Sequence, residues 1–326
     1  MSVLSIYCNM AFAADAMARL RDGVAGHRLV LPEGRGVGVL GVGAPDPRID
    51  EADVVFGQPV AEQVMAAARV RWVHLTSAGY TRYDRDDLRR AFIERGAVLT
   101  KSSLVYDEPC ALHLLAFMCA QARQLPAALD SQRRAHDWSH LELRARSTLL
   151  RDERVVLVGF GSIARRLLEL LAPLRMQVSA LRRHIVGDEP VPTYAVDDLR
   201  AGGVLSEADH VVNLLPESAA TRGYFDAARL AGLKRGAVFY NIGRGSTVDE
   251  TALRQALTSG ALAAAYLDVA AVEPLPPDDP LWTTPHCIIT PHTGGGHATE
   301  EPRLVQHFLD NLARFVAGQP LLDRIV

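Results

Sequence analysis

Short apolar runs alternate with amphipathic segments along the whole chain. The residues up to Cys8 are predicted to form a first strand, and segments 59–68 and 85–95 have helical periodicity. Strands that alternate with helices favour a parallel sheet. Four further apolar runs in the first hundred residues predict strands over 37–40, 54–56, 72–75 and 97–99.

The same rhythm resumes after residue 150. An apolar helix over 110–125 and a polar stretch over 133–147, which contains Trp138, come before it. Six strands from 154 onward complete one doubly wound unit, so a last helix over 299–317 has no strand left to serve there and is expected to pack on the first domain. The strands are predicted over 154–158, 178–181, 210–214, 237–241, 263–269 and 287–290, with helices over 165–174, 225–233 and 250–259.

Composition limits the classes of protein that the chain can represent. Its 326 residues, of which 48% are hydrophobic, suit roughly two packed domains. A net charge of -3 gives no basic footprint for nucleic acid or an anionic membrane. The chain contains no apolar run of about 18 residues, so no membrane span is predicted. The N-terminus lacks the basic region of a signal peptide. The four cysteines are Cys8, Cys110, Cys119 and Cys287, and no pair has C-x-x-C spacing. We therefore expect buried free thiols in a reducing cytoplasm and no metal site.

The segment from Arg154 to Arg165 has the pattern of a buried strand, a tight glycine turn and the start of a helix. Such a turn holds a dinucleotide pyrophosphate against a helix N-terminus. Ala164 stands at the third glycine position, which needs only a small side chain. The contacts predicted for the dinucleotide are Gly159, Gly161, Ser162 and Ile163. A glycine turn that merely packs a helix on a strand is the alternative interpretation.

Arg182 and Arg183 end the next predicted strand, about 20 residues after the glycine turn, where an acidic residue would hold the ribose of NAD. Two arginines there suit a 2′-phosphate instead. The sequence therefore predicts a preference for NADP(H). NAD(H) stays open, because both arginines could also face solvent.

Three polar motifs follow later strands: Asn241-Ile-Gly-Arg244-Gly, Asp268 to Glu273, and Thr290-Pro-His292. Ligands of open α/β sheets bind at the carboxyl ends of the strands, so these side chains are expected to converge. Arginine grips a carboxylate with two hydrogen bonds. Histidine donates a proton near neutral pH, and a neighbouring carboxylate favours its charged form. Together they suit carbonyl reduction.

In this order and local setting, Arg244, Glu273 and His292 resemble the D-isomer-specific 2-hydroxyacid dehydrogenase family, which includes glyoxylate/hydroxypyruvate reductases and phosphoglycerate dehydrogenases. The similarity extends over nearly the whole chain. Further matching segments are 74–80, similar to the family's substrate-carboxylate loop, and 110–123, 215–216, 221–223 and 315–320.

The resemblance implies a role for each matching residue. Arg244 would orient the 2-oxo acid and polarise its carbonyl, His292 would protonate the carbonyl oxygen, and Glu273 would keep His292 protonated. Backbone N–H groups of Ser77, Ala78 and Gly79 would hold the substrate carboxylate, together with Arg244 and His292. Further cofactor contacts are expected from Leu215, Pro216, Thr221, Ile242, Asp268, Gly294 and Gly295, with Asp268 near the nicotinamide carboxamide.

The combined prediction is an α/β fold of two Rossmann-like or flavodoxin-like domains with parallel sheets and an active site in the interdomain cleft. A discontinuous substrate-binding domain would comprise 1–101 and 296–326, and the NAD(P)-binding Rossmann domain would comprise 102–295. The expected activity is NADP(H)-preferring reduction of small 2-oxo acids, such as glyoxylate or hydroxypyruvate, to D-2-hydroxy acids. The expected assembly is a cytoplasmic homodimer whose other partners are small molecules, with neither nucleic acid nor membrane.

The chain departs from the family pattern at two positions, which puts the substrate's identity in doubt. Leu112 stands where the family usually has Glu, and Lys101 stands where Asn is frequent. Lys101 is expected to be a solvated side chain, with added charge at the substrate mouth as the alternative. His113 is expected to be structural. The substrate pocket is expected to be lined near residues 9–12, Gln58 and Tyr80.

Two other functions stay open. One is a catalytically weak, NAD(P)-sensing binding protein similar to the family's transcriptional corepressors, because a fold alone does not specify a function. The complete Arg244, Glu273 and His292 set argues against it. The other is oxidation of formate or phosphite, which the same three residues do not exclude.

Overall fold

The computed structural model describes residues 3–39, 41–187 and 189–326, without the side chains of Ala135 and Leu199. These residues form two compact units. The first contains the chain up to Tyr106 together with His297–Val326, and the second is Asp107–Gly296. The sequence predicted domain boundaries after residues 101 and 295, whereas the two units divide after Tyr106 and Gly296.

Every sheet contact between the described strands is parallel. The strands are β1 Ser5–Cys8, β2 Arg28–Val30, β3 Val54–Gly57, β4 Trp72–Leu75, β5 Val98–Thr100, β6 Arg154–Val158, β7 Gln177–Arg182, β8 Thr193–Ala195, β9 His210–Asn213, β10 Ala237–Asn241, β11 Leu262–Leu267 and β12 Cys287–Ile289.

The helices alternate with these strands. They are α1 Ala14–Gly23, α2 Ala61–Ala66, α3 Asp86–Glu94, α4 Ser103–Ala122, α5 Leu125–Asp130, α6 His140–Arg146, α7 Ser162–Leu171, α8 Leu199–Ser206, α9 Ala227–Ala231, α10 Glu250–Thr258 and α11 Glu300–Val316. Short 3-10 turns lie at Pro47–Glu51, Thr81–Tyr83, Ala172–Leu174, Gly245–Thr247 and Pro280–Thr283, and a π-helical turn at Ser131–Ala135. Within the described ranges, no helix is both long and apolar enough to cross a bilayer.

The first unit contains a five-stranded sheet in the order β2-β1-β3-β4-β5. Successive strand residues face opposite sides, so this sheet has one apolar core on each face. On one face the final helix α11 packs through Phe308, whose ring stacks on Phe56 at 4.2 Å and on Trp72 at 5.2 Å between centroids. The end of the chain is therefore part of the first unit.

The second unit contains a seven-stranded sheet in the order β12-β11-β10-β9-β6-β7-β8. The first strand of this unit, β6, lies between β7 and β9, so the strand order reverses beside it. Such a switch point opens a crevice at the carboxyl ends of the strands. The predicted α/β class with parallel sheets is confirmed.

Several predicted elements differ from the structure. The predicted six-stranded sheet is wrong: β8 adds a seventh strand, which has only three half-buried residues and no apolar run. In place of the strand predicted over 37–40 there is one isolated bridge, from Met10 to Val37. Leu40 lies outside the described residues, as do the first two residues of the predicted first strand.

The helix that was predicted to begin at Cys110 begins at Ser103 instead. Pro109 therefore lies inside α4. The four cysteines are free, as expected, but only Cys8 and Cys110 are buried. Cys119 lies on the exposed side of α4, so the prediction of buried thiols is wrong there.

Candidate active site

The glycine turn after β6 fits a dinucleotide pyrophosphate. Gly159 has φ +101°, and a Cβ atom there would lie 3.0 Å from the carbonyl of Leu214. Beside Gly161 the space is open, since a Cβ would meet nothing within 4 Å. Gly161 is the N-cap residue of α7 and has no side chain to cap the first N–H groups, which begin at Ser162. These N–H groups and the helix dipole suit an anion.

The two arginines after this turn have different environments. The Arg182 guanidinium lies 2.5 Å from the carboxylate of Glu189, whose side chain is only 4% exposed. The same carboxylate accepts hydrogen bonds of 2.8 Å from the backbone N–H groups of Val186 and Gly187. These backbone bonds, joined by that from Arg182, lower the pKa of Glu189 to about 2.

Arg183 is exposed and forms no hydrogen bond or ion pair with the rest of the described chain. Arg182 is held by Glu189, whereas Arg183 has no partner among the described residues; both stay predicted cofactor contacts. Sequence reasoning missed Glu189. The available signal was an acidic residue seven positions after Arg182 in a loop containing Gly187.

The loop after β9 is closed by its own side chains. Thr221 Oγ1 donates to the Pro216 carbonyl at 2.6 Å and accepts from the Ser218 backbone N–H at 2.9 Å. The Leu215 side chain is buried in the core of the second unit. The Thr221 hydroxyl is therefore occupied within the loop. The cofactor contacts predicted for Leu215, Pro216 and Thr221 stay predictions.

Arg244 follows β10 and lies between two glycines that the packing requires. A Cβ on Gly243 would lie 2.6 Å from the Leu215 carbonyl oxygen, and one on Gly245 would overlap the backbone of Ala270. The loops after β9, β10 and β11 therefore approach closely here. Arg244 is half-buried, and its Nη1 donates to the Gly243 carbonyl at 2.6 Å.

A buried amide pair that sequence reasoning missed supports this turn. Asn213 Nδ2 donates to Asn241 Oδ1 at 3.0 Å and to Thr247 Oγ1 at 2.6 Å. Thr247 Oγ1 also bonds the Arg244 carbonyl at 2.6 Å. Both asparagines are the last residues of adjacent strands, β9 and β10, which was the signal in the sequence. The network fixes the backbone that carries Arg244.

The Asp268 carboxylate anchors the loop after β12. It accepts from Thr290 Oγ1 at 2.7 Å and from the backbone N–H groups of Thr293 and Gly294 at 2.9 Å each. A Cβ on Gly294 would lie 2.6 Å from Ile242 and 2.7 Å from the Asp268 carboxylate, so this position needs glycine. Asp268 was predicted to contact the cofactor. Its observed bonds hold the segment that presents His292.

His113 also belongs to this cluster, although it was expected to be structural. Its Nε2 lies 3.0 Å from Thr290 Oγ1 and 3.7 Å from the Asp268 carboxylate. Burial lowers the pKa of His113, against the opposing effect of the Asp268 charge. His113 is therefore a hydrogen-bonding partner of Thr290.

Glu273 and His292 form the central pair of the site. His292 Nδ1 lies 2.7 Å from Glu273 Oε2, while Glu273 Oε1 accepts from the Ala270 backbone N–H at 3.0 Å. Burial acts to raise the pKa of Glu273, but the hydrogen bonds from His292 and Ala270 and the charge of Arg244 lower it overall. The charge of Arg244 is thus among the causes that lower this pKa, and the joint role of the three residues stays a prediction.

The backbone at His292 fixes the direction of its ring. His292 has φ +53°, and its N–H donates to the Asp268 carbonyl at 2.9 Å. With Nδ1 directed at Glu273, Nε2 has no hydrogen-bond partner in the described part of the chain. Nε2 is therefore the atom available to give or take a proton.

In the first unit, Ser77, Ala78 and Gly79 form a half-buried loop after β4. Ser77 Oγ donates to the Gly79 carbonyl at 2.6 Å, and the Ser77 carbonyl accepts from the Ser102 backbone N–H at 3.1 Å. The loop is thus tied both to itself and to the residue after β5.

Lys101 adjoins this loop, and the expectation that it is a solvated lysine is wrong. Its side chain is partly buried, and its ammonium lies 5.1 Å from the ring centroid of Tyr80. Burial lowers the pKa of Lys101, although the charge of Asp323 acts in the opposite direction.

The second unit contains a glycine turn at a sheet switch point, a carboxylate-paired histidine and an arginine. These are features of the dinucleotide-dependent dehydrogenases as a class. The chain belongs to the D-isomer specific 2-hydroxyacid dehydrogenase family, whose NAD binding domain model matches residues 115–294. The family predicted from the sequence is confirmed.

Two curated relatives illustrate the similarity. The chain is 29% identical over 287 residues to a D-3-phosphoglycerate dehydrogenase of Mycobacterium bovis, covering 85% of this chain and 52% of that protein. It thus spans about half the length of the phosphoglycerate dehydrogenases that it matches. A glyoxylate/hydroxypyruvate reductase B of Pectobacterium atrosepticum is 31% identical over 265 residues, which is 78% of each chain.

A solved structure is similar over the whole chain. The D-isomer specific 2-hydroxyacid dehydrogenase from Xanthobacter autotrophicus, crystallised with NADPH and MES, has a TM-score of 0.80 and 26% sequence identity. The similarity covers 100% of this chain and 98% of that one. The fold and the family are thus shared with a protein that binds NADPH.

Proposed function

We propose that this protein reduces small 2-oxo acids, such as glyoxylate or hydroxypyruvate, to D-2-hydroxy acids with a preference for NADP(H). The observation that carries the proposal is the 2.7 Å pairing of Glu273 with His292 Nδ1, which leaves His292 Nε2 available. The similarity to a glyoxylate/hydroxypyruvate reductase supports the substrate class.

The proton comes from the protein in this proposal. A carboxylate beside an imidazole stabilises its charged form, and Glu273 occupies that position beside His292 Nδ1. His292 Nε2 then donates its proton to the carbonyl oxygen of the substrate as that oxygen gains negative charge. When bound, the reduced nicotinamide supplies the hydride. The Asp268 bonds to Thr293 and Gly294 keep the imidazole in place during this transfer.

Binding and orientation of the 2-oxo acid fall to Arg244 and the loop of the first unit. A guanidinium can bond a carboxylate with two parallel N–H groups and polarise the adjacent carbonyl. The backbone N–H groups of Ser77, Ala78 and Gly79 would hold the carboxylate as well. The buried Asn213, Asn241 and Thr247 network restricts the Arg244 backbone, which reduces the entropy lost on binding.

NADP(H) is preferred in this proposal because Arg183, after β7, offers an exposed guanidinium that has no partner among the described residues. Gly159, Gly161, Ser162 and Ile163 would hold the pyrophosphate at the start of α7. Arg182 would act indirectly, through its pair with Glu189. The NADPH complex of the Xanthobacter relative supports this preference, and NAD(H) remains the alternative cofactor.

A homodimer in the cytoplasm completes the proposal. Large apolar side chains are exposed in the segment between α4 and β6, and a second copy of the chain would cover them. Four free thiols are typical of a reducing compartment. Light scattering on the purified protein would show twice the chain mass if the dimer forms. The exposed apolar side chains between α4 and β6 that this dimer would cover are Leu125, Leu129, Trp138, Leu141 and Leu149.

The test of the function is a panel of 2-oxo acids assayed with NADPH and with NADH. We expect the highest kcat/KM with NADPH and a two- or three-carbon 2-oxo acid, and a product of D configuration. Absence of turnover across the panel, with NADPH still bound, would contradict the reductase and favour a nucleotide-sensing role.

A further inference from the structure

Gln58 comes directly after β3 and is completely buried beside the Ser77 loop. Its Nε2 donates to Ser77 Oγ at 3.0 Å and to Thr76 Oγ1 at 3.1 Å. Its backbone N–H donates to Asn9 Oδ1 at 2.9 Å, and its carbonyl accepts from Asn9 Nδ2 at 3.1 Å. Both the backbone and the amide nitrogen of Gln58 are therefore held in place.

The amide oxygen of Gln58 is the exception, because Oε1 has no hydrogen-bond partner within the described residues and is not exposed. Exchanging the oxygen and nitrogen of the amide does not remove the mismatch. After such an exchange the amide nitrogen would be the unpaired group, and the Ser77 hydroxyl, which donates to the Gly79 carbonyl, would have no proton for the amide oxygen. An unpaired buried acceptor is costly, and such groups call for a specific explanation.

We propose that Gln58 Oε1 accepts a hydrogen bond from a hydroxyl on carbon 3 of the substrate, so that the enzyme selects 3-hydroxy-2-oxo acids over their deoxy analogues. This inference rests on the proposed function and names the substrate class of that site. The Ser77 loop is the expected carboxylate site, and Gln58 bonds that loop directly. In this proposal a short acid held by that loop brings its carbon-3 hydroxyl to Oε1.

A hydroxyl suits this acceptor better than an ammonium. The hydrogen-bond partners of Gln58 are Asn9, Thr76, Ser77 and Gly43, all of them neutral. A buried ammonium needs a paired negative charge, whereas a hydroxyl needs only an acceptor. The neutral setting of Gln58 therefore favours a substrate of the hydroxypyruvate type.

Sites built to bond a substrate hydroxyl reject the analogue that lacks it, because the buried protein group is left unpaired. Hydroxypyruvate and pyruvate differ by only this hydroxyl. We expect kcat/KM of the wild-type protein to be about 100-fold higher for hydroxypyruvate than for pyruvate. This ratio is below the ~10⁴ reached by sites that bond a substrate hydroxyl fully, because only one acceptor is involved.

The experiment compares Gln58→Met with a control, Thr76→Val. Gln58→Met keeps the length of the side chain and removes the acceptor. Thr76→Val removes one of the two anchors of Nε2 and leaves Oε1 in place. The readout is the ratio of kcat/KM for hydroxypyruvate to that for pyruvate at saturating NADPH. We expect Gln58→Met to lower this ratio at least tenfold, and Thr76→Val to lower both values alike.

An equal fall for both substrates in Gln58→Met would overturn the inference, because Gln58 would then only position the loop or bond an enclosed water. If Gln58→Met does not fold, Gln58→Glu keeps an acceptor and, when protonated, a donor to Ser77. Because this variant keeps the acceptor, it should retain the preference for hydroxypyruvate, and loss of that preference would overturn the inference. A wild type that reduces no 2-oxo acid contradicts the proposed function itself, whereas an active wild type without the preference contradicts only the role of Gln58.

Discussion

His292 Nδ1 lies 2.7 Å from Glu273 Oε2, and this contact joins the loop after β11 to the loop after β12. Each partner is held independently of the other. Glu273 accepts from the Ala270 backbone N–H, and the His292 backbone donates to the Asp268 carbonyl. The pair is therefore a property of the folded second unit, and the unpartnered Nε2 of His292 follows from it.

The first prediction concerns the charge of Glu273. In Glu273→Gln the imidazole of His292 loses the negative partner that stabilises its charged form. We expect kcat/KM for reduction to fall 10- to 100-fold at neutral pH and the alkaline limit of activity to move to lower pH. A pH–rate profile measures both effects. Glu250→Gln is the control, because Glu250 bonds the Ala271 backbone N–H at 2.7 Å and no histidine. An unmoved pH profile in Glu273→Gln would refute this role.

The second prediction concerns the geometry of Arg244. Arg244→Lys keeps the positive charge but loses the two parallel N–H donors, so binding of a planar carboxylate should weaken. We expect kcat/KM to fall about 100-fold or more, with the KM for NADPH unchanged. Arg254→Lys, at another half-buried arginine of the second unit, should retain activity. Equal activity of both variants would show that Arg244 does not bind the substrate.

The third prediction separates the two arginines after β7. Arg183→Ala should lower kcat/KM for NADPH about 10- to 100-fold and leave that for NADH nearly unchanged, because only NADPH carries the 2′-phosphate. Arg182→Ala should have a smaller effect, since Arg182 is already paired with Glu189 at 2.5 Å. Steady-state kinetics with both cofactors measure the preference. A larger loss in Arg182→Ala would reverse the assignment.

The fourth prediction is a dependence of stability on pH. The folded state lowers the pKa of Glu189 to about 2, against an ordinary value near ~4.3. Its contribution is therefore fully present above the ordinary value and is lost as the pH falls through the folded value. Denaturant unfolding of the wild type and Glu189→Gln should differ at neutral pH and converge between about pH 4 and 2. A constant difference over that range would contradict the lowering of this pKa by the hydrogen bonds from Val186, Gly187 and Arg182.

The elements that the sequence predicted well are those with a strong local signal. The glycine turn is an example: Gly159 needs positive φ, and Gly161 leaves the start of α7 open. Polar residues at strand ends, such as Asn241 before Arg244, indicated the edge where side chains converge, because parallel strands end together.

What the sequence could not indicate depends on the path of the chain in space. Arg182 and Arg183 are adjacent and identical in type, yet only the folding of the loop to Glu189 makes one of them unavailable. Lys101 is polar by composition but partly buried, because Tyr80 lies beside it. The strand β8 has only three residues, and its pairing with β7 is what defines it as a strand.

The most direct test of the account is the rate of NADPH oxidation by the wild type and by His292→Asn, with hydroxypyruvate as the substrate. Asparagine can accept and donate hydrogen bonds but cannot supply a proton near neutral pH. We predict that the wild type converts NADPH and hydroxypyruvate to equal amounts of NADP and a D-2-hydroxy acid. His292→Asn should lose at least about 100-fold in kcat and still bind NADPH with unchanged affinity. A variant as fast as the wild type would contradict proton transfer from His292.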